Sequence, residues 1–186
     1  MKVTGLRTIK FNPAEKLTLI YMLITGVAAC YLWITTGKGL GLIGVRLAIG
    51  AVIFVMAGFE NITQKTSNPL LRYIFIGCLF VYWYPETFYI NRFFGNYDHL
   101  LAAADQALFG YQPSLVLAHA LPQHWVSELM NMGYISYFPI LIITWLYFYY
   151  TDRHMAEFYF FTTTFAFFLF YILFLLFPAS GPQYYF

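Results

Sequence analysis

Five long stretches nearly free of charge constrain this chain more than any other feature. Leu17–Thr36 is 20 residues without a charged side chain, and Leu40–Phe59 is 20 residues with Arg46 as its one charge. Tyr73–Ile90 is 18 residues carrying Glu86 and interrupted by Pro85. Leu129–Tyr150 and Phe158–Phe177 are 22 and 20 residues with no charge at all. A hydrocarbon core about 30 Å thick is crossed by about 20 residues of apolar helix. Membrane strands would alternate apolar and polar side chains every second residue, and these runs do not. The expected fold is therefore all-α: a polytopic membrane helix bundle of about five transmembrane helices, with short interfacial helices on the outer face. Residues 1–186 are read as a single membrane domain.

Composition excludes the other broad classes. Charged residues make up 10% of the chain and hydrophobic ones 61%, whereas a soluble domain carries about 25% charged residues. Such a chain is not disordered. Two cysteines do not make a disulfide scaffold, and a net charge of +2 lacks the basic face a nucleic-acid binder needs.

Lys2, Arg7, Lys10 and Lys16 precede the first apolar run, as in a signal peptide. That run is longer than a signal core and no Ala-x-Ala site follows it, so a retained first span is expected. With the N-terminus inside, the inner loops hold seven Lys/Arg: Lys2, Arg7, Lys10, Lys16, Lys65, Arg72 and Arg153. The outer loops hold two, Lys38 and Arg92. The positive-inside rule then places the N-terminus in the cytoplasm and, after five spans, the C-terminus outside. The sequon Asn61-Ile62-Thr63 falls on the inner side and is read as chance.

Residues 86–128 are too polar to span and too apolar for a free loop. Asp98 is a helix-capping type, Leu100, Leu101, Ala104, Ala107 and Leu108 follow at helical spacing, and Gly110 suits a helix end. Pro113 and Pro122 each suit a first helical turn, predicting further pieces over 114–121 and from Gln123 onward. Trp83, Tyr84, Tyr89, Tyr97, Tyr111 and Trp125 are rings that favour the headgroup layer.

Gly39-Leu40-Gly41-Leu42-Ile43-Gly44 matches G-x-G-x-x-G, but that motif works only after a strand in a βαβ unit. Here it opens a membrane span, and small-residue helix packing through Gly37 and Gly41 or Gly44 and Ala48 is the better reading. Arg46 sits seven residues into its span, about 10 Å deep. It either snorkels to outer headgroups, pairs with an acid inside the bundle, or meets a substrate phosphate. Glu86 and Asp105 are outer-side acids expected to bond an adjacent helix end. His119 and His124 have no metal-ligand partner at i+4 and read as interfacial hydrogen bonders, and Cys30 and Cys78 read as small core residues. No metal site is expected. Eleven aromatics among the 20 residues 158–177 are packing bulk or lipid-facing, not a cofactor box. Past Phe177, two prolines and a glycine stop the helix. Ser180, Gly181 and Gln183 offer a hydroxyl, a backbone N–H and an amide to an anion there.

Three ordered features carry a family resemblance. Asp105-Gln106-Ala107-Leu108-Phe109-Gly110 is followed by Gln112-Pro113, then by Gly133-Tyr134-Ile135-Ser136-Tyr137-Phe138-Pro139, then by Phe177-Pro178-Ala179-Ser180-Gly181-Pro182. Over about residues 70–186 this order resembles the amino-terminal half of the type 2 phosphatidic acid phosphatase superfamily, in the branch of the inositol phosphorylceramide synthases. The resemblance implies a membrane-embedded lipid-phosphate phosphatase or phosphotransferase in a bacterial inner membrane. In that family one histidine attacks a phosphate ester and forms a phosphoenzyme, and a second, held by an aspartate, is acid and base. Ser180, Gly181, Gln183 and Arg46 become the substrate-binding candidates, and a phosphorylated lipid or polar headgroup donor the partner. Gln183 stands where the family pattern has arginine. The family's Pro-Ser-Gly-His segment and its Ser-Arg run with a spaced His and Asp do not occur in the 186 residues. His119 and His124 precede the first motif and match neither. No catalytic residue is carried over and no cofactor is implied. The resemblance thus implies the front portion of a longer enzyme with six or more helices, or a degenerate relative. The alternative is a non-catalytic helix-bundle subunit or scaffold.

The topology is testable with single cysteines at Thr4 and Tyr185 in a background lacking Cys30 and Cys78. An impermeant thiol reagent is expected to label them from opposite sides of the membrane. Labelling of both from one side would overturn the five-span arrangement.

Overall fold

A computed structural model describes residues 9–63, 69–93 and 95–179, without the side chains of 60–63 and 69. It contains α1 (Pro13–Thr36), α2 (Leu40–Thr63), α3 (Pro69–Asn91), α4 (Asp98–Phe109), α5 (Pro113–Ala120), α6 (His124–Thr151) and α7 (Arg153–Leu176). The described residues include no strand, and the fold is the expected all-helical membrane bundle. Four helices are long and apolar enough to cross a membrane: α1, α2 over Leu40–Phe59, α6 and α7. The fifth expected span is α3. At 23 residues it has the length, but Arg72, Glu86, Pro85 and four tyrosines lower its apolarity. The chain divides into two compact units. Helices α1–α3 and Phe160–Leu175 form the first, and α4–α6 with the start of α7 form the second.

Local sequence explains where α1 begins and ends. The Asn12 side chain accepts the Glu15 N–H at 2.8 Å, and the Glu15 carboxylate accepts the Asn12 N–H at 2.9 Å, a reciprocal capping box. Pro13 follows at the first helical position, where its missing N–H costs nothing. At the other end Gly37 adopts φ +70°, a left-handed conformation natural to glycine, and its N–H reaches the Trp33 carbonyl at 2.9 Å.

Glu15 has a second role. Its carboxylate forms a buried ion pair with Arg72 of α3, whose Nε donates to Oε1 at 2.6 Å and whose Nη2 pairs with Oε2. Arg72 also donates to the Lys10 carbonyl at 3.3 Å. One carboxylate thereby starts α1 and neutralises the cation of α3. Of the threonines buried in this unit, Thr18, Thr25 and Thr164 each donate to a carbonyl four residues back at 2.7–2.9 Å, and Thr87 to one three residues back at 2.7 Å. That is how a hydroxyl is satisfied where no solvent competes.

Aromatic rings fill the first unit. Phe168 of α7 stacks on Tyr21 of α1 at 4.3 Å and meets Trp83 of α3 edge-on at 5.2 Å. Phe80 stacks on Phe167 at 4.6 Å, and Tyr73 meets Phe160 at 4.9 Å. The Tyr171 hydroxyl donates to the Phe80 carbonyl at 2.9 Å, and the Asn91 amide donates to that of Phe174 at 2.8 Å. Such ring pairs contribute about 0.5–1.5 kcal/mol each beyond the area they bury. The aromatics of the last span thus divide: Phe160, Phe168 and Tyr171 are buried packing, whereas Phe158, Phe161, Phe165, Phe170, Phe174 and Phe177 are exposed.

Close approach of α1 and α2 occurs at other glycines than expected. A Cβ at Gly39 would meet the Ala29 carbonyl at 3.1 Å, and one at Gly26 would touch the Arg46 side chain at 3.8 Å. Nothing lies within 4 Å of a Cβ at Gly37, Gly41 or Gly44. Gly37 supplies a left-handed turn instead, and Gly41 and Gly44 are exposed.

The second unit also corrects local detail. Asp98 lies within the first turn of α4, not at its cap. Asn96 accepts the Asp98 N–H at 2.7 Å and donates its amide to the Asp98 carboxylate at 2.8 Å, so the residue two positions earlier organises the helix start. Gly110 ends α4 at φ +74° as expected, and Pro113 opens α5. Pro122, by contrast, precedes α6 altogether. The piece expected from Gln123 and the span from Leu129 are one helix of 28 residues, because no breaker separates them.

Replacing Glu15 by Ala is expected to destabilise the protein in detergent by about 3–5 kcal/mol, the scale for orphaning a buried ionic partner. Thermal unfolding followed by circular dichroism measures it, with exposed Glu157→Ala expected to stay within about 0.5 kcal/mol. Equal transitions for the two variants would remove the Glu15–Arg72 pair from the fold's supports.

Candidate functional site

The richest polar cluster inside the first unit is built around Arg46. Its Nη2 pairs with Oε1 of Glu86 and donates to the Thr25 hydroxyl at 3.1 Å, while Nη1 donates to the Leu42 carbonyl at 3.2 Å. Arg46 and Glu86 are each 7% exposed. Three helices supply the cluster: Thr25 from α1, Arg46 from α2 and Glu86 from α3. Tyr21 and Tyr82 lie within electrostatic reach of both charges.

Thr25, Arg46 and Glu86 each lie on the buried face of their helix. Arg46 lies on the same α2 face as the buried Ile49, Ile53 and Ala57, so the core stripe carries the cation inward. Thr25 shares the α1 face of buried Tyr21, Ala29 and Leu32. Glu86 is three positions after Trp83, which is fully buried, so the two side chains share one face of α3. An intramembrane charge costs several kcal/mol unless paired, and the partner stands on the adjacent helix. Of the readings open for Arg46, the structure realises the pairing inside the bundle. Glu86 accordingly bonds a guanidinium and not a helix end.

The cluster keeps unused hydrogen-bonding capacity. Arg46 Nε, Trp83 Nε1 and Glu86 Oε2 are buried and have no partner among the described residues. Two of these atoms belong to the ion pair itself, and the third is the indole N–H of Trp83, one turn before Glu86 on α3.

The remaining candidates lie elsewhere. Ser180, Gly181 and Gln183 fall outside the described residues. The segment leading to them is held by its backbone: the Tyr97 N–H donates to the Pro178 carbonyl at 2.8 Å. In the same unit, Gln112 donates to the Ala102 carbonyl at 2.8 Å and Gln106 to the Gly110 carbonyl at 2.8 Å. These two amides pin the turn between α4 and α5. Asp105 is half-buried on α4. His119 ends α5, His124 begins α6, and both are exposed. Among the described residues no three His, Cys, Asp or Glu side chains are arranged to hold a metal ion.

Sequence reasoning missed the Glu15–Arg72 pair. The signal for half of it was present: Asn12-Pro13-Ala14-Glu15 before an apolar run fits the capping-box pattern. Nothing local ties Glu15 to Arg72, 57 positions away.

These features define the class of protein: an integral membrane protein with charge pairs inside its helix bundle. Comparison of the sequence with family models and with curated proteins, and of the structure with solved structures, returned no match.

A double-mutant cycle tests the pair. Arg46→Met and Glu86→Leu are each expected to destabilise the protein by about 3–5 kcal/mol, and the double variant by clearly less than their sum. Strict additivity in thermal unfolding would show that the two charges act independently.

Proposed function

We propose that the chain is the membrane half of a lipid-phosphate phosphatase or phosphotransferase of the inositol phosphorylceramide synthase type, catalytically incomplete within these 186 residues. In this reading Ser180, Gly181 and Gln183 receive the phosphoryl oxygens of a phosphorylated lipid at the outer face of a bacterial inner membrane, with the N-terminus in the cytoplasm. The observation that supports it is the Tyr97–Pro178 backbone bond. It ties the segment that resembles the family's first motif to the start of α4, the helix carrying Asp105–Gly110. A backbone anchor at Pro178, two positions before Ser180, is the kind of support that donors to a phosphoryl group need.

A second reading, a non-catalytic bundle subunit, draws on a different observation. Arg46 and Arg72 are both engaged with carboxylates inside the bundle. Their charge serves packing in that reading.

Two measurements separate them. The purified chain is expected to bind phosphatidic acid in detergent, with affinity reduced about tenfold by Ser180→Ala with Gln183→Ala, in line with two lost hydrogen bonds. It is expected to release no phosphate from a panel of lipid phosphates. Turnover that survives His119→Ala and His124→Ala would refute the family mechanism for this chain. Binding indifferent to the Ser180 and Gln183 changes would favour the subunit reading.

A further inference from the structure

The outer flank of the α1–α2 seam is recessed. A groove of about 450 Å³ runs along it, with Leu19, Met22 and Leu23 on one wall and Arg46, Leu47, Gly50, Ala51 and Phe54 on the other. Met22 is buried, whereas Leu23 and Leu47 are more than 70% exposed, so Met22 forms floor and the leucines form rims. Gly50 deepens the recess, since a Cβ there would lie 3.8 Å from the Met22 methyl. At one end Phe54 is closed off by Phe11, their rings meeting edge-on at 5.0 Å. At the other stands Arg46, whose charge is already committed to Glu86. The body of the groove therefore suits hydrocarbon and offers a second charge nothing to meet.

One cation lies at the Leu40 end of the same seam, where it meets Phe93, the residue after Arg92 just past the end of α3. Lys38 lies on the short connection between the two helices that form the groove, and its ammonium stands 5.7 Å over the Phe93 ring. Neighbouring Arg92 stands 5.7 Å over Phe88. Both are exposed, and neither has an acidic partner among the described residues. From Leu40 to Gly50 is about 15 Å of helix at 1.5 Å per residue, and half a hydrocarbon core is also about 15 Å. A lipid whose phosphate meets Lys38 and Arg92 thus has a chain long enough to fill the groove to its deepest point.

We infer that the α1–α2 groove is a binding site for one anionic phospholipid, its phosphate at Lys38 and Arg92 and one acyl chain lying past Arg46 against Gly50 and Ala51. It does not rest on the phosphoryl reading of Ser180, Gly181 and Gln183. The lipid is structural or regulatory here and undergoes no chemistry.

Titration of the detergent-purified protein with phosphatidylglycerol or phosphatidylcholine, read by native mass spectrometry, tests it. A one-to-one phosphatidylglycerol adduct is expected to form in preference to the phosphatidylcholine one. Lys38→Ala and Arg92→Ala are each expected to reduce that preference about fivefold, the equivalent of ~1 kcal/mol per interfacial cation. Ala51→Phe, on an exposed wall of the groove, is expected to weaken both lipids alike, and Gly50→Leu to do the same from the floor. Equal binding of the two lipids by the unaltered protein would overturn the inference. So would undiminished binding in Ala51→Phe with helix content unchanged, or a dimer that forms in place of the lipid adduct and is abolished by Ala51→Phe.

Discussion

Two buried ion pairs hold the first unit to one arrangement. In hydrocarbon an unpaired charge finds no solvent, so a helix that carries one is committed to the neighbour that neutralises it. Glu15–Arg72 joins α1 to α3, and Arg46–Glu86 joins α2 to α3 while reaching Thr25 of α1. Helix α3 takes part in both. Its two charges, Arg72 and Glu86, tie it to α1 and α2. Ion pairs of this kind add little net stability over well-packed hydrocarbon, but losing one partner is costly. They exclude alternative packings more than they deepen the native one.

Aromatic packing builds on that arrangement. Once α1 and α3 are tied by Arg72, Tyr21 and Trp83 lie side by side, 5.0 Å between ring centroids. Phe168 of α7 then enters between them. The bond from Tyr171 to the Phe80 carbonyl fixes α7 against α3 at a further level. The polar cluster at Arg46 is buried beside these rings, with Arg46 also reaching the flank of α1 and α2.

What function the chain has depends on which polar groups stay accessible. Arg46 was a candidate for a substrate phosphate, and inside the bundle it is engaged with Glu86 and Thr25. The cations left facing outward are at the ends of helices, among them Lys38 and Arg92. Charge is thus paired within the bundle, while Lys38 and Arg92 stay exposed, each over an aromatic ring.

The sequence by itself determined the class of fold, the ends of α1, the stop at Gly110 and the start of α5. Each follows from a local rule: the length of an uncharged run, a capping box, a glycine's access to positive φ, a proline's missing N–H. Arg46 and Glu86 were marked as exceptional because charges in apolar runs are rare. Tertiary structure alone decided that these two meet, that Glu15 serves Arg72, and that Gly39 and Gly26, not Gly41 and Gly44, admit the close approach of α1 to α2. Pairing of residues tens of positions apart depends on the rotation and depth at which helices pack. A periodic apolar sequence leaves those two quantities open until neighbouring side chains and buried charges fix them together.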